Sequence, residues 1–179
     1  MLVLNLSPLE GFNESTNEFV TIPRGKLELE HSLVSLSKWE SKWHKPFLGR
    51  DEKSDEELLD YIRCMTLNDP DPSVYSSLRA SEVRKINEYI DDPYTATTFR
   101  KNGKKSPSRE IVTSELIYYW MVALNIPSEY QSWHLNRLIT LIEVCNIKNA
   151  PPKKMSKSEI YSRNKAINEA NRRRFHTKG

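Results

Sequence analysis

Glycine and cysteine are scarce in this chain, and long apolar runs are missing. Five glycines in 179 residues are too scattered for a phosphate-binding loop or a dinucleotide fingerprint, both of which need close glycines so that backbone can approach a phosphate. No serine sits in a nucleophile elbow. The cysteines, Cys64 and Cys145, lack ligand spacing. They suit a reducing compartment in which each acts as a small buried hydrophobe. His31, His44, His134 and His176 lie on separate segments and HExxH does not occur, so no zinc site is legible. No stretch approaches the roughly eighteen apolar residues of a membrane span, which predicts a soluble protein with no membrane partner. The opening MLVLNLSPLEGF has neither a basic start nor a small-residue cleavage site and is expected to remain in the mature protein. These absences predict no enzyme, no cofactor and no metal.

What is present is charge, unevenly spread. Apolar residues make up 37% of the chain, enough for the core of one domain, and the net charge is only +3. Residues 153–179 hold nine Lys or Arg and two Glu, a balance of +7, which leaves −4 for residues 1–152. An acidic body followed by a basic tail is the expectation.

The longest apolar-periodic stretch, residues 108–149, reads as a helical hairpin around which the rest is arranged. Tyr118, Tyr119, Trp120, Met121, Ala123 and Leu124 crowd its first half, and Leu135, Leu138, Leu141, Ile142 and Cys145 recur every three or four positions in its second. Ile126 and Pro127 mark the turn, because proline disfavours helical geometry in the residue before it.

Upstream, Leu2, Leu4 and Leu6 alternate with other residues, as do residues 26–30 (KLELE). A turn at Pro23, Arg24 and Gly25 between residues 19–22 and 26–30 predicts a hairpin, joined by the first strand into a small antiparallel sheet, with residues 13–17 as a polar loop. Residues 31–44 follow as a helix carrying Leu33, Leu36, Trp39 and Trp43 on one face. Ser54 with Glu57 forms a capping box for a helix ending near Met65, and Pro70 and Pro72 break the chain after it. Residues 81–90 predict a short helix with Val83, Ile86 and Ile90 inward, and residues 94–107 an exposed basic loop. Ala150, Pro151 and Pro152 mark a boundary. Beyond it a second capping box, Ser156 with Glu159, opens a basic helix whose inward candidates are Ile160 and Ile167. The fold class is α+β, mostly α: an N-terminal sheet (1–30), a helical body (31–149), and a Pro-Pro linker with a basic helix (150–179).

The acidic residues of the chain are explained as helix caps and turn formers, with no spacing that singles out a catalytic pair. His134 beside Trp133 reads as a satisfied interior histidine, since no carboxylate or nucleophile is placed to work with it. Trp39 and Trp43 are either core anchors or a docking stripe, the core reading being preferred. The candidate protein-binding residues are Trp39, Trp43, Trp133, His134, Arg172, Arg173 and Arg174.

Three blocks, HSLVSLSKWESKWHKPFL, SREIVTSELIYYWMVALNIP and WHLNRLITLIEVCNIKNAPPKKMSKSEIYSRNKAINEANRRRF, resemble a family of small tailed-phage proteins known as tail assembly chaperones. The resemblance implies a non-enzymatic factor that coats the tape measure protein and brings tail tube subunits to it in the host cytoplasm. A longer frameshifted product and a homo-oligomer fit the same expectation. It implies protein partners rather than nucleic acid. A structural virion component, such as a connector or tail completion protein, is the alternative, and a nucleic-acid-binding module built on the basic tail is a third reading.

Overall fold

The computed structural model describes residues 1–13, 17–99, 111–151 and 156–176. The expected basic loop at Arg100, Lys101, Lys104 and Lys105, the start of the hairpin at Ser108, Pro152 of the linker and the tail lysines Lys153, Lys154 and Lys178 lie outside these residues, as does part of the polar loop at 14–16.

The protein is α+β and mostly α. Four short strands come first: β1 (Leu2–Asn5), β2 (Leu9–Asn13), β3 (Glu18–Ile22) and β4 (Lys26–Leu29). They pair as two separate antiparallel couples, β1 with β4 and β2 with β3, in registers that set Leu2 opposite Leu29 and Leu9 opposite Ile22. The hairpin expected between residues 19–22 and 26–30 therefore does not form. Its turn residues are used otherwise. Gly25 sits at φ 68°, the left-handed region that glycine adopts without strain, and its carbonyl accepts from Leu6 N–H at 2.9 Å, extending the β1–β4 pairing. Arg24 is buried, donating from Nε to the Ser7 carbonyl and from Nη1 to the Ser77 carbonyl, both at 2.8 Å, while Nη1 and Nη2 fork onto Glu82 at 2.8 Å each. A turn that must bury a guanidinium is placed by those acceptors, not by strand pairing across it.

The second edge of β4 is covered. Glu30 N–H donates to the Met65 carbonyl and Leu67 N–H to the Glu28 carbonyl, each at 2.9 Å. Asn68 completes the row with its side chain, accepting from Glu28 N–H at 2.9 Å and donating to the Lys26 carbonyl at 2.8 Å. An edge strand of this kind, left bare, would template pairing with another chain.

Among the described residues there are seven α-helices and one 3-10 turn: α1 (Leu33–Trp43), α2 (Asp55–Met65), α3 (Ser73–Ser76), α4 (Ala80–Asp91), α5 (Ser114–Ala123), the turn Ser128–Ser132, α6 (Leu135–Asn149) and α7 (Lys157–Phe175). Local chemistry explains most starts. Ser32 caps α1 by accepting from Ser35 N–H, Thr113 caps α5 by accepting from Leu116 N–H, and both expected capping boxes are present, at Ser54 with Glu57 and at Ser156 with Glu159. The chain leaves α5 after Ala123 and passes through Ile126, Pro127 and the turn Ser128–Ser132 before α6 begins, a longer connection than the turn expected at Ile126 and Pro127. The single turn α3 is the helix that no periodicity announced.

The chain divides into two compact units, Met1–Asn146 and Ile147–Gly179. In the first unit two hydrophobic clusters share α1. Leu4, Leu27, Leu29, Trp39, Tyr61, Met65 and Ile86 form one; Leu33 and Leu36 join Ile117 and Met121 of α5 and Leu135, Leu138 and Ile142 of α6 in the other. The apolar face of α1 is wide enough to serve both, so α1, rather than the α5–α6 hairpin, is the element around which this unit is organised. Burying an aliphatic side chain as completely as Leu27 or Leu36 contributes about 2 kcal/mol. In the second unit α7 has no buried residue, and Ile160 and Ile167, expected to face inward, are 45% and 46% exposed. Tyr161 and Phe175, the other large apolar side chains of the helix, are exposed as well, and four such residues in nineteen leave the helix too polar to bury a face.

Candidate functional site

The tryptophans of α1 meet α2 through their ring nitrogens. Trp39 is fully buried and donates from Nε1 to the Glu57 carbonyl at 2.8 Å. Trp43, half-buried and stacked on Trp39 at a ring separation of 6.1 Å, donates to Asp60 Oδ2 at 2.8 Å. Lys42 binds the other Asp60 oxygen and Lys45 binds Glu57 Oε1, each at 2.5 Å. Burial works against the Asp60 carboxylate, but the bonds from Lys42 and Trp43 outweigh it and hold its carboxyl below the usual range. Glu57 is held low chiefly by Lys45 and by its place in the capping box. A shallow pocket of about 260 Å³ opens beside Lys45, Asp51, Lys53 and Glu57. Its lining mixes both charges. Trp39 is thus a core anchor and not available to a partner, which corrects its place among the docking candidates; Trp43 keeps part of its ring exposed.

His134 is also buried, and for a reason that its sequence neighbours hide. Its Nε2 lies 2.9 Å from the Tyr89 carbonyl. A carbonyl only accepts, so Nε2 carries the proton. In the neutral ring Nδ1 is then a bare acceptor, and it is buried without a hydrogen-bond partner. Tyr94 stacks on the ring at 4.7 Å, and His31 meets it edge-on at 5.1 Å. His31 Nδ1 lies 2.6 Å from the Tyr61 hydroxyl. Burial, and then the neighbouring His134, push the His31 pKa down to about 3; burial also lowers His134, against the pull of its bond to the Tyr89 carbonyl. Nearby, the Tyr89 hydroxyl donates to Glu30 Oε1 at 2.5 Å and the Met1 ammonium lies 2.7 Å from Glu30 Oε2.

This cluster holds two neutral imidazoles, and the Glu30 carboxylate is occupied by Tyr89 and Met1. Catalysis by a histidine base requires a substrate or nucleophile within hydrogen-bond reach, and residues only 2–3% exposed offer none. Both histidines join elements: the His31 carbonyl accepts from Leu135 N–H at 2.7 Å, tying the start of α1 to the start of α6. His134 therefore leaves the list of docking residues, because its ring is spent inside.

Trp133, next in sequence, faces the other way. Its half-buried ring stacks on Tyr130 at 4.0 Å, and the Arg137 guanidinium covers it at 4.0 Å. Arg172, Arg173 and Arg174 lie exposed in the last turn of α7, where cations complement the negative end of the helix dipole. The seven candidates are not one site: Trp39 and Trp43 stand together, Trp133 and His134 diverge, and the three arginines belong to a different unit.

Sequence reasoning missed Glu40, the carboxylate that joins α1 to α5. It is buried, accepting from Phe47 N–H at 2.8 Å and from Ser114 N–H at 2.7 Å. Its one visible signal is an acidic residue on an apolar helix stripe. Among the described residues no group of three or more His, Cys, Asp or Glu could hold a metal ion, and no helix is long and apolar enough to cross a membrane. No protein-family model matches the chain, nor does any curated protein or solved structure.

Proposed function

We propose that this protein is a non-enzymatic assembly chaperone of a tailed phage, binding the tape measure and tail tube proteins in the host cytoplasm. The reading rests on the resemblance of its sequence blocks and on one observation about α5. Beyond Ser114 and Glu115 of its first turn that helix, SELIYYWMVA, is apolar on all sides, as a helix surrounded by protein usually is. Ile117 and Met121 are buried, yet Tyr119 is 65% and Val122 77% exposed, one turn apart on the opposite face. An apolar helix face of this kind is what a chaperone offers to an unassembled partner, and aromatic residues contribute much of the energy of such contacts.

Co-expression with the tape measure protein tests it. The chain should be recovered in complex, and the double substitution Tyr119→Glu, Val122→Glu should abolish recovery while changing stability by less than about 0.5 kcal/mol per exposed site. Purified mature particles should lack the protein. Its presence there at fixed copy number would instead make it a structural virion component.

A further inference from the structure

Tyr94 covers a buried histidine and is itself only loosely held. Its ring lies flat on His134, with centroids 4.7 Å apart and planes 11° from parallel; His134 is 3% exposed and Tyr94 44%. The backbone of Tyr94 is at φ 51°, a left-handed conformation that is costly for any residue carrying a Cβ. Its one hydrogen bond among the described residues is local, from its N–H to Asp92 Oδ1 at 2.7 Å. What ties it to the interior is ring contact, the stack on His134 and an edge contact with Tyr89 at 5.9 Å.

His134 supplies a reason for that ring to move. Its Nε2–H is committed to the Tyr89 carbonyl, so a second proton must enter at Nδ1, which is buried without a hydrogen-bond partner. Protonation there creates a buried charge and a buried unmet donor together, and both are costly. The groups around the imidazole do not relieve that cost. His31, just ahead of α1, meets it edge-on and is bonded to the Tyr61 hydroxyl of α2. Tyr89 of α4 stands edge-on at 4.9 Å, and its hydroxyl shares Glu30, at the end of β4, with the Met1 ammonium. Asp92, beyond α4, receives the Tyr94 N–H, and Arg137, one turn along α6, covers Trp133. Water therefore reaches Nδ1 only if a covering ring is displaced. The side chains of His31 and Tyr89 are anchored by those hydrogen bonds, and the Tyr94 side chain has none among the described residues.

We propose that Tyr94 is a proton-operated lid: uptake of a proton at His134 Nδ1 lifts its ring off the imidazole and admits water to the junction of α1 and α6, while the hydrophobic clusters stay packed. Burial holds His134 below its ordinary pKa while the lid is closed, and a solvated imidazole titrates at about 6.5. The open form thus binds the proton more tightly, so acid favours opening and neutral pH favours closure. This is independent of the chaperone reading, and the failure of either leaves the other standing.

NMR of the full chain between pH 7.5 and 4.5, with the His134 signal assigned by His134→Gln, tests it. Cross-relaxation between the Tyr94 and His134 rings should be present at pH 7.5 and fade in step with titration of the His134 Cε1–H signal, while the methyl signals of Leu36, Ile117 and Leu138 keep their dispersion. In Tyr94→Ala the lid is gone, and His134 should bind its proton about threefold more tightly or better, a midpoint higher by about half a pH unit or more. Tyr94→Phe keeps the ring and should titrate as the wild type does. The proposal is overturned by a His134 signal that does not titrate down to pH 4.5, by a ring contact that survives protonation, by loss of that contact only together with the methyl dispersion, or by a midpoint in Tyr94→Ala that is unchanged or lower.

Discussion

Helices α2 and α7 both open on a serine that accepts, at 3.2 Å, from the backbone N–H of a glutamate in the first turn, and in both the glutamate returns a bond to the serine N–H. Beyond that shared start they part. α2 buries Glu57, Asp60, Tyr61, Ile62 and Met65, and α7 buries nothing. The capping box is a local device that satisfies backbone donors at a helix start; it says nothing about what the helix will pack against. Placement comes from the apolar stripe. In α2 that stripe is continuous enough to bury two carboxylates along with it, because Lys42, Lys45 and Trp43 of the α1 region are there to receive them. In α7 the positions that match these, counted from the capping serine, are Glu159, Ser162, Arg163, Asn164 and Ile167, with a single apolar side chain among them.

The contrast can be broken most forcefully at Trp39. Trp39→Ala removes a fully buried ring on which Trp43 and Phe47 pack and the bond to the Glu57 carbonyl; unfolding in urea should show a loss of about 3–5 kcal/mol. No single substitution in α7 should approach that.

A smaller effect comes from pH. His31 is held near 3 in the folded protein and returns to about 6.5 when unfolded. The unfolded chain therefore takes up the proton first, so stability is complete above pH 6.5 and is lost as pH falls toward 3. Between pH 6.5 and 5 the loss from His31 alone is about 1.6 kcal/mol, its slope approaching 1.36 kcal/mol per unit as the unfolded imidazole becomes fully protonated. Urea midpoints across that window, above the range in which carboxylates titrate, should fall with acid. In His31→Gln the fall should be clearly shallower, and an unchanged slope would remove His31 as its cause.

The smallest difference sharpens the comparison most. Ser54→Ala should reduce the stability of the first unit by about 1 kcal/mol, as loss of a helix cap does. Ser156→Ala should lower helix content by circular dichroism and leave the unfolding midpoint of the first unit unmoved. Equal shifts in that midpoint for both variants would show that α7 contributes to the same cooperative unit.

How far the sequence could be read follows the range of the interactions. The starts at Ser54 and Ser156, the helix break at Ile126 and Pro127, and the helical spans around Trp39 and Ile86 depend on neighbours within a turn or two, and all are visible in the residue order. Strand pairing was not legible in the same way. Residues 19–22 and 26–30 alternate as strands should, but alternation carries no information on partners, and the buried Arg24 with its acceptors on Ser7, Ser77 and Glu82 decides where that turn goes. For the candidate residues the limit was orientation. Trp133 and His134 are adjacent, and the start of α6 sends one toward Arg137 and the other toward His31.

By itself, then, the order of residues determined the helical segments other than α3, the caps at Ser54 and Ser156, and that an acidic body precedes a basic helix, because each of these depends on local backbone chemistry or on composition. Only the tertiary structure decided that α1 serves two cores, that Glu40 joins α1 to α5, and that two histidines far apart in the chain share one dry interior. Those outcomes depend on desolvation. Burying a charged or polar group is tolerable only where partners from distant segments converge on it, and no pattern along the chain encodes that convergence.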